Sequence, residues 1–210
     1  MSLFPIFLKL DGRPCLVVGA GEIAESKIHS LLIADARVTV VAPAARPDLI
    51  ALSQQGRFIW HQREFVPSDL DGIFLVVAAT NAPEVNAAIF QEAQRRNIIC
   101  NAVDDPPNCD FYFPSVVRRG DLQIAISTAG ESPALAQQLR MEIDEQLPQD
   151  LGPWLKALGE LRREVLTALP AGESRKQLLH TLAQRQVCEL ADCPSRQMAK
   201  QAFFVSKSAK

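Results

Sequence analysis

The chain has little that would tie it to a membrane, a nucleic acid or an oxidising compartment. Its 210 residues hold no apolar run approaching the length needed to cross a bilayer. The first residues, MSLFPIFLKLDGR, are apolar but lack the basic start and small-residue cleavage site of a signal peptide. They read as structure, and the expectation is a cytoplasmic protein. The formal net charge is only −2, so no overall basicity argues for nucleic acid, and no acidic tail is present. The five cysteines are odd in number and scattered, which argues against a disulfide framework. Cys15 and Cys100 stand at strand-like positions and are expected to be buried thiols. Cys188 and Cys193 form a C-x4-C pair with no second Cys or His pair nearby to complete a zinc tetrahedron, so no metal site is expected.

What is present is an alternation of short apolar runs and helical patterns. CLVV (15–18), RVTVVAP (37–43), RFIWHQ (57–62), GIFLVVAAT (72–80) and IICNAV (98–103) read as strands. The apolar LVVAA suits a strand covered on both faces. Between them, Ala24, Ile28, Leu31 and Leu32 fall at helical spacing, as do Val85, Ala88, Ile89 and Ala93 after Pro83. RPDLIALSQQG is a shorter helix candidate closed by Gly56. Strands alternating with helices predict a parallel sheet with right-handed crossovers.

The stretch DDPPNCDFYFPS (104–115) reads as a linker-like break. LQIAIST (122–128) is one more strand. Ser132 then caps a helix with Pro133 in its first turn and a stripe of Leu135, Leu139, Ile143 and Leu147. From Trp154 the pattern is helical: Leu155, Leu158, Leu161, Val165, Leu166 and Leu169 line one helix. Leu178, Leu179 and Leu182 mark a second, and Met198, Phe203 and Phe204 a third.

Gly19-Ala20-Gly21-Glu22-Ile23-Ala24 leaves a strand and opens a helix, matching G-x-G-x-x-A. Gly19 permits a sharp turn, Gly21 leaves room for a pyrophosphate, and Ala24 lets the helix lie close to the sheet. The helix N-terminus offers unpaired N–H groups to phosphate. The context favours dinucleotide binding over a turn needed only for packing. The acid that commonly holds the adenosine ribose is missing: the second strand runs into Val41-Ala42-Pro43-Ala44-Ala45-Arg46. Backbone around Pro43 and Ala44 could line the adenosine, and Arg46 could meet a 2′-phosphate or be a solvated charge. Residue logic leaves NAD and NADP open. Thr80 and Asn81, at the end of the fourth strand, could bond the cofactor or simply cap a helix.

Asp104 and Asp105 follow the fifth strand, where a carboxylate could take a proton as hydride leaves a substrate. An Asp before Pro-Pro could equally start a turn. His29, His61 and His180 read as surface or core residues. STAGESP (127–133) could be an anion cradle or a capped connection. Arg118, Arg119, Arg140, Arg162 and Arg163 would suit a polycarboxylate substrate or serve solvation and helix pairing.

In order, FPIFLKLDGRPCLVVGAGEIAESK, VTVVAP, AATNAPEVN, CNAVDDPPNCDFYFPS and ISTAGESPALAQQLR resemble the dehydrogenase/ferrochelatase module of siroheme synthase over about residues 3–147. The resemblance implies an α/β fold with a Rossmann NAD-binding domain (1–112), a small α+β dimerisation region (113–149) and a C-terminal helical domain (150–210). It implies a homodimer that oxidises precorrin-2 to sirohydrochlorin with NAD. In several members the same cleft also inserts ferrous iron. Asp104 matches the family's key carboxylate; Gly21, Glu22, Ile23, Pro43, Ala44 and Thr80 match its cofactor contacts, alongside Gly19 of the glycine turn. The fused enzyme carries a methyltransferase domain that has no counterpart here, so the resemblance implies a stand-alone form supplied by a separate methyltransferase. Thr128, beside Ser127, stands where some fused relatives carry a phosphorylatable serine. The competing class is an NAD-sensing regulatory protein with a helical dimerisation tail, which needs Gly19 to Ala24 but has no use for Asp104.

Overall fold

A computed structural model describes residues 3–183, and the chain divides into two compact units, 1–113 and 114–210. The candidate third helix and the Cys188/Cys193 pair lie outside the described residues. Among the described residues no helix is long and apolar enough to cross a membrane.

The first unit is a five-stranded parallel sheet in the order β3-β2-β1-β4-β5. Its strands are β1 (Pro14–Val18), β2 (Arg37–Val41), β3 (Ile59–His61), β4 (Leu75–Ala78) and β5 (Ile99–Ala102). Helices α1 (Glu22–Ile33), α2 (Pro47–Gln54) and α3 (Pro83–Arg95) connect them. Side chains of a strand alternate between faces, and the two apolar layers divide accordingly. Cys15, Val17, Leu75 and Val77 join the α1 and α2 layer, with Ala24, Ile28 and Leu31 from α1. Leu16, Val18, Val76 and Ala78 join the α3 layer, with Ile89 and Ala93. Proline supplies the first turn of both α2 and α3, where its missing N–H costs nothing.

Two expectations from the sequence are corrected. Ala88 is exposed on α3, and Asn86 turns inward in its place. The stretch 104–115 does contain the boundary between the two units, after Phe113, but the residues before it are built into the first unit and are not a free linker. Residues 109–113 run back along β5, starting from an antiparallel bridge between Asn101 and Cys109. The Asp110 carboxylate accepts the Cys100 N–H at 2.9 Å, and Asn101 Nδ2 donates to the Phe111 carbonyl at 2.8 Å. Phe111 and Phe113 are thereby laid on the α1 layer.

The second unit starts with a hairpin of β6 (Ser115–Arg119) and β7 (Leu122–Ile126), turned at Gly120. The β6 strand was hidden in the sequence by the polar break before it. Then come α4 (Pro133–Gln146), α5 (Leu151–Ala168) and α6 (Glu173–Ala183). Ser132 caps α4 by accepting the Leu135 N–H at 3.2 Å. Val165 and Leu182 form the centre of the α5–α6 contact, flanked by Leu158, Leu161, Leu169, Leu178 and Leu179.

Candidate active site

Four loops leave the carboxyl ends of β1, β2, β4 and β5, the edge where open α/β sheets bind ligands. The chain order reverses between β1 and β4, so the crevice falls over the β1 turn. Backbone bonds fix these loops to one another. The Gly19 N–H donates to Val41 O at 2.9 Å, and the Ala79 N–H donates to Val18 O at 2.8 Å. The Arg46 N–H donates to Ala20 O at 3.2 Å, and the Val103 N–H to Ala78 O at 2.9 Å.

The two glycines of the β1 turn do different work. Gly19 has φ +109°, and a Cβ there would lie 2.2 Å from the Ala79 carbonyl oxygen. It is required by the fold. Gly21 has φ −83° and caps α1 without any side-chain bond. A Cβ at Gly21 would meet nothing within 4 Å. The N–H groups of the first helical turn, from Glu22 onward, have no carbonyl four residues back within the helix. The space over Gly21 and this uncapped, positive helix end fit a dinucleotide's pyrophosphate. Ala24 is fully buried against the sheet. Glu22 and Ile23 lie exposed at the same end.

Pro43 and Ala44 are exposed on the loop after β2. Arg46 is not a free charge: its Nε sits 2.7 Å from Glu25 Oε2 on α1. The Thr80 hydroxyl is turned into its own loop. It lies 2.7 Å from Asn86 Oδ1 and accepts the Ala82 N–H at 3.2 Å. Asn86 Oδ1 also accepts the Thr80 N–H at 3.1 Å, and its Nδ2 donates to Thr80 O at 3.1 Å. Asn86 is thus the latch of this loop, a residue that sequence periodicity passed over. Asn81 is exposed.

The two aspartates after β5 separate cleanly. Asp105 serves the turn, its Oδ2 accepting from Asn108 Nδ2 at 2.6 Å. Asp104 is exposed, with φ +59°, and its carboxylate takes part in no hydrogen bond or ion pair among the described residues. A non-glycine residue in the left-handed region is uncommon and costs about 1 kcal/mol or more. An unpartnered carboxylate thus stands at the binding edge, on left-handed backbone that aspartate adopts more readily than most residues. Lys27, on the flank of α1, has its pKa lowered by burial, against the opposing field of Asp104.

In the second unit Arg119 is taken up by structure. Its guanidinium donates to Asp144 Oδ1 at 2.7 Å, to Asp144 O at 2.7 Å and to Leu147 O at 3.1 Å, closing the C-terminus of α4. Arg118, Arg162 and Arg163 are exposed. Ser127 and Thr128 accept N–H groups of Ala129 and Ser132 within their own loop. Among the described residues no three His, Cys, Asp or Glu side chains converge as metal ligands.

A family model described as "Putative NAD(P)-binding" matches residues 6–115, and one described as "Sirohaem biosynthesis protein central" matches residues 119–146. The chain is 43% identical over 193 residues to siroheme synthase 1 of Aeromonas hydrophila subsp. hydrophila, covering 91% of this chain and 42% of that protein. It is 40% identical over 212 residues to siroheme synthase 3 of the same organism, covering 99% and 45%. The chain thus spans less than half the length of these relatives. A solved structure titled "SirC, precorrin-2 dehydrogenase" superposes with a TM-score of 0.79 at 25% identity, covering 97% of this chain and all of that one.

Proposed function

The chain belongs to the NAD(P)-binding family, and from that premise we propose that it is an NAD-dependent precorrin-2 dehydrogenase yielding sirohydrochlorin. The observation that carries the reading is Asp104. An unpartnered carboxylate stands just after the end of β5, on left-handed backbone, on the same edge as the Gly19–Gly21 turn. A regulatory NAD sensor would have no use for it. Likeness to the SirC structure across both whole chains supports the same substrate.

When bound, NAD supplies the hydride acceptor. The N–H groups of the cap residue Gly21 and of Glu22 and Ile23 would hold its pyrophosphate, on the turn that Gly19 shapes. Pro43 and Ala44 line the adenosine side, while Thr80, latched by Asn86, offers backbone rather than its hydroxyl. Asp104, directly or through a water, accepts the proton that precorrin-2 loses as its hydride departs. One hydride and one proton leave for the two-electron oxidation, so the step balances.

The same carboxylate could take pyrrole protons as ferrous iron enters, so iron insertion is proposed as a second reaction of this cleft. The dimerisation region (113–149), which begins at the last residue of the first unit, and the helical domain (150–210) are proposed to belong to a cytoplasmic homodimer. Support comes from α4, where Leu135 is 47% and Met141 51% exposed. An anaerobic assay with precorrin-2 tests the central reading. Sirohydrochlorin absorbance should rise together with NADH in equal amounts; no change with NAD or NADP, from folded protein, would overturn it.

A further inference from the structure

Lys27 is the titratable side chain at this edge that the reaction above does not use. Ala24, Ile28 and Leu31 of α1 face the sheet. Lys27 lies beside that face, half-buried. Its Nζ stands 4.3 Å from the centroid of the Phe113 ring. The ring has an aromatic neighbour of its own. Its neighbour Phe111 lies 5.2 Å away centroid to centroid, and the segment carrying both is pinned by Asn101 and Asp110. A cation over an aromatic face is stabilised by about 0.5–2 kcal/mol, enough to hold the ammonium in place. None of the ion pairs or side-chain hydrogen bonds among the described residues uses Lys27. A cation taken partly out of water is costly unless an anion meets it. Asp104 contributes a field but no ion pair within 4 Å.

We propose that the Lys27 ammonium, seated on the Phe113 ring, receives a carboxylate of the substrate. The inference rests on the tetrapyrrole reading, and it adds an anchor to the acceptor of the proton. A tetrapyrrole of this class carries acetate and propionate groups around its rim. One carboxylate fixed at Lys27 sets a ring edge against Asp104. The other anion available is the cofactor's pyrophosphate. Two features favour the substrate. The pyrophosphate site lies at the uncapped N-terminus of α1, a turn earlier than Lys27, and the charged neighbour of Lys27 is the β5 loop rather than the β2 loop.

The test compares the wild type with Lys27→Met, Lys27→Gln and Lys27→Arg, after thermal unfolding has confirmed that each is folded. Metal-free sirohydrochlorin is titrated by absorbance under anaerobic conditions, and NADH by fluorescence. Losing a charge-assisted bond should weaken sirohydrochlorin about tenfold to hundredfold in the Met and Gln variants. NADH affinity should stay within about twofold of wild type, because an interaction with the other ligand is untouched. In turnover KM for precorrin-2 should rise with kcat nearly kept, and Lys27→Arg should recover most of the loss. Wild-type sirohydrochlorin affinity in both neutral variants would overturn the inference while leaving the dehydrogenase standing. Weakened NADH with unchanged sirohydrochlorin would overturn it in favour of the cofactor phosphate. A wild type that neither binds sirohydrochlorin nor oxidises precorrin-2 would overturn the functional reading and this inference with it.

Discussion

The two glycines of the β1 turn can be separated by one methyl group each. In Gly19→Ala the backbone stays at φ +109°, outside what an L residue adopts easily, at a cost of about 1–2 kcal/mol. The new Cβ would lie 2.2 Å from Ala79 O and 2.7 Å from Ala79 C. Relief to an ordinary carbon–oxygen separation of about 3.3 Å requires the β4 loop to move by roughly 1 Å. That loop is tied to β1 by the 2.8 Å bond from Ala79 N to Val18 O. Overpacking of this kind costs about 1–3 kcal/mol, and straining the sheet-end bond adds about 1. The total, about 3–6 kcal/mol, is comparable with the whole stability of many domains. Gly21→Ala has φ −83° and open space, so its cost should stay within about 1 kcal/mol. It should instead weaken NADH about tenfold to hundredfold, by placing a methyl where the phosphate approaches. Urea unfolding followed by circular dichroism reads the first effect, and NADH fluorescence titration the second. A Gly21→Ala protein with wild-type NADH affinity would refute the placement of the cofactor; a Gly19→Ala protein of wild-type stability would refute the geometry of the turn.

Three further outcomes follow from contacts away from the reacting carboxylate. Glu25→Gln releases Arg46, and NADP affinity relative to NAD should rise about threefold to tenfold if Arg46 can reach a 2′-phosphate; an unchanged ratio would place Arg46 away from the ribose. Arg119→Met removes the guanidinium from Asp144 O and Leu147 O and should cost about 2–4 kcal/mol in urea unfolding, since those groups lose their partner. Burial pushes the Cys15 thiol up to about 11 and Cys100 up to about 12. Both should stay unalkylated at pH 8 in the folded protein, by peptide mapping, and react once it unfolds. Because the folded values are raised, these thiols contribute stability below their unfolded pKa of about 8.5, and it is lost as pH rises through the folded values. Stability that held constant from pH 8.5 to pH 11 would contradict this.

The sheet was legible because its strands are short β-branched runs between turn residues, and α1 because Ala24, Ile28 and Leu31 keep one face. The β6 strand was not, since Ser115–Arg119 mixes apolar and basic residues behind a proline-rich stretch. Its pairing with β7 appears only when the hairpin closes. Periodicity placed Ala88 inside and ignored Asn86, because a polar residue faces inward only where a loop supplies matching donors and acceptors, as Thr80 does. The glycine turn was readable as a motif, but which glycine the fold needs depends on the approach of Ala79. Whether an aspartate after β5 serves a turn or stands free was not legible, because the partner that engages Asp105, Asn108, takes its place only once the turn closes. Lys27 gave no signal at all, for its seat is made by Phe113, far along the chain. Arg119 was read with a basic cluster; its burial and its carbonyl partners on α4 are properties of packing.

The most direct test of the account is single-turnover oxidation of precorrin-2 with NAD by wild-type and Asp104→Asn protein, followed at the sirohydrochlorin absorbance. Asparagine keeps the size of the side chain and tolerates the positive φ, but it cannot accept the proton. The wild type should oxidise precorrin-2, and the variant should do so about a hundredfold or more slowly, within the range for lost acid–base catalysis. NADH and sirohydrochlorin should bind both proteins alike. A folded Asp104→Asn protein that oxidises precorrin-2 at the wild-type rate would contradict the account.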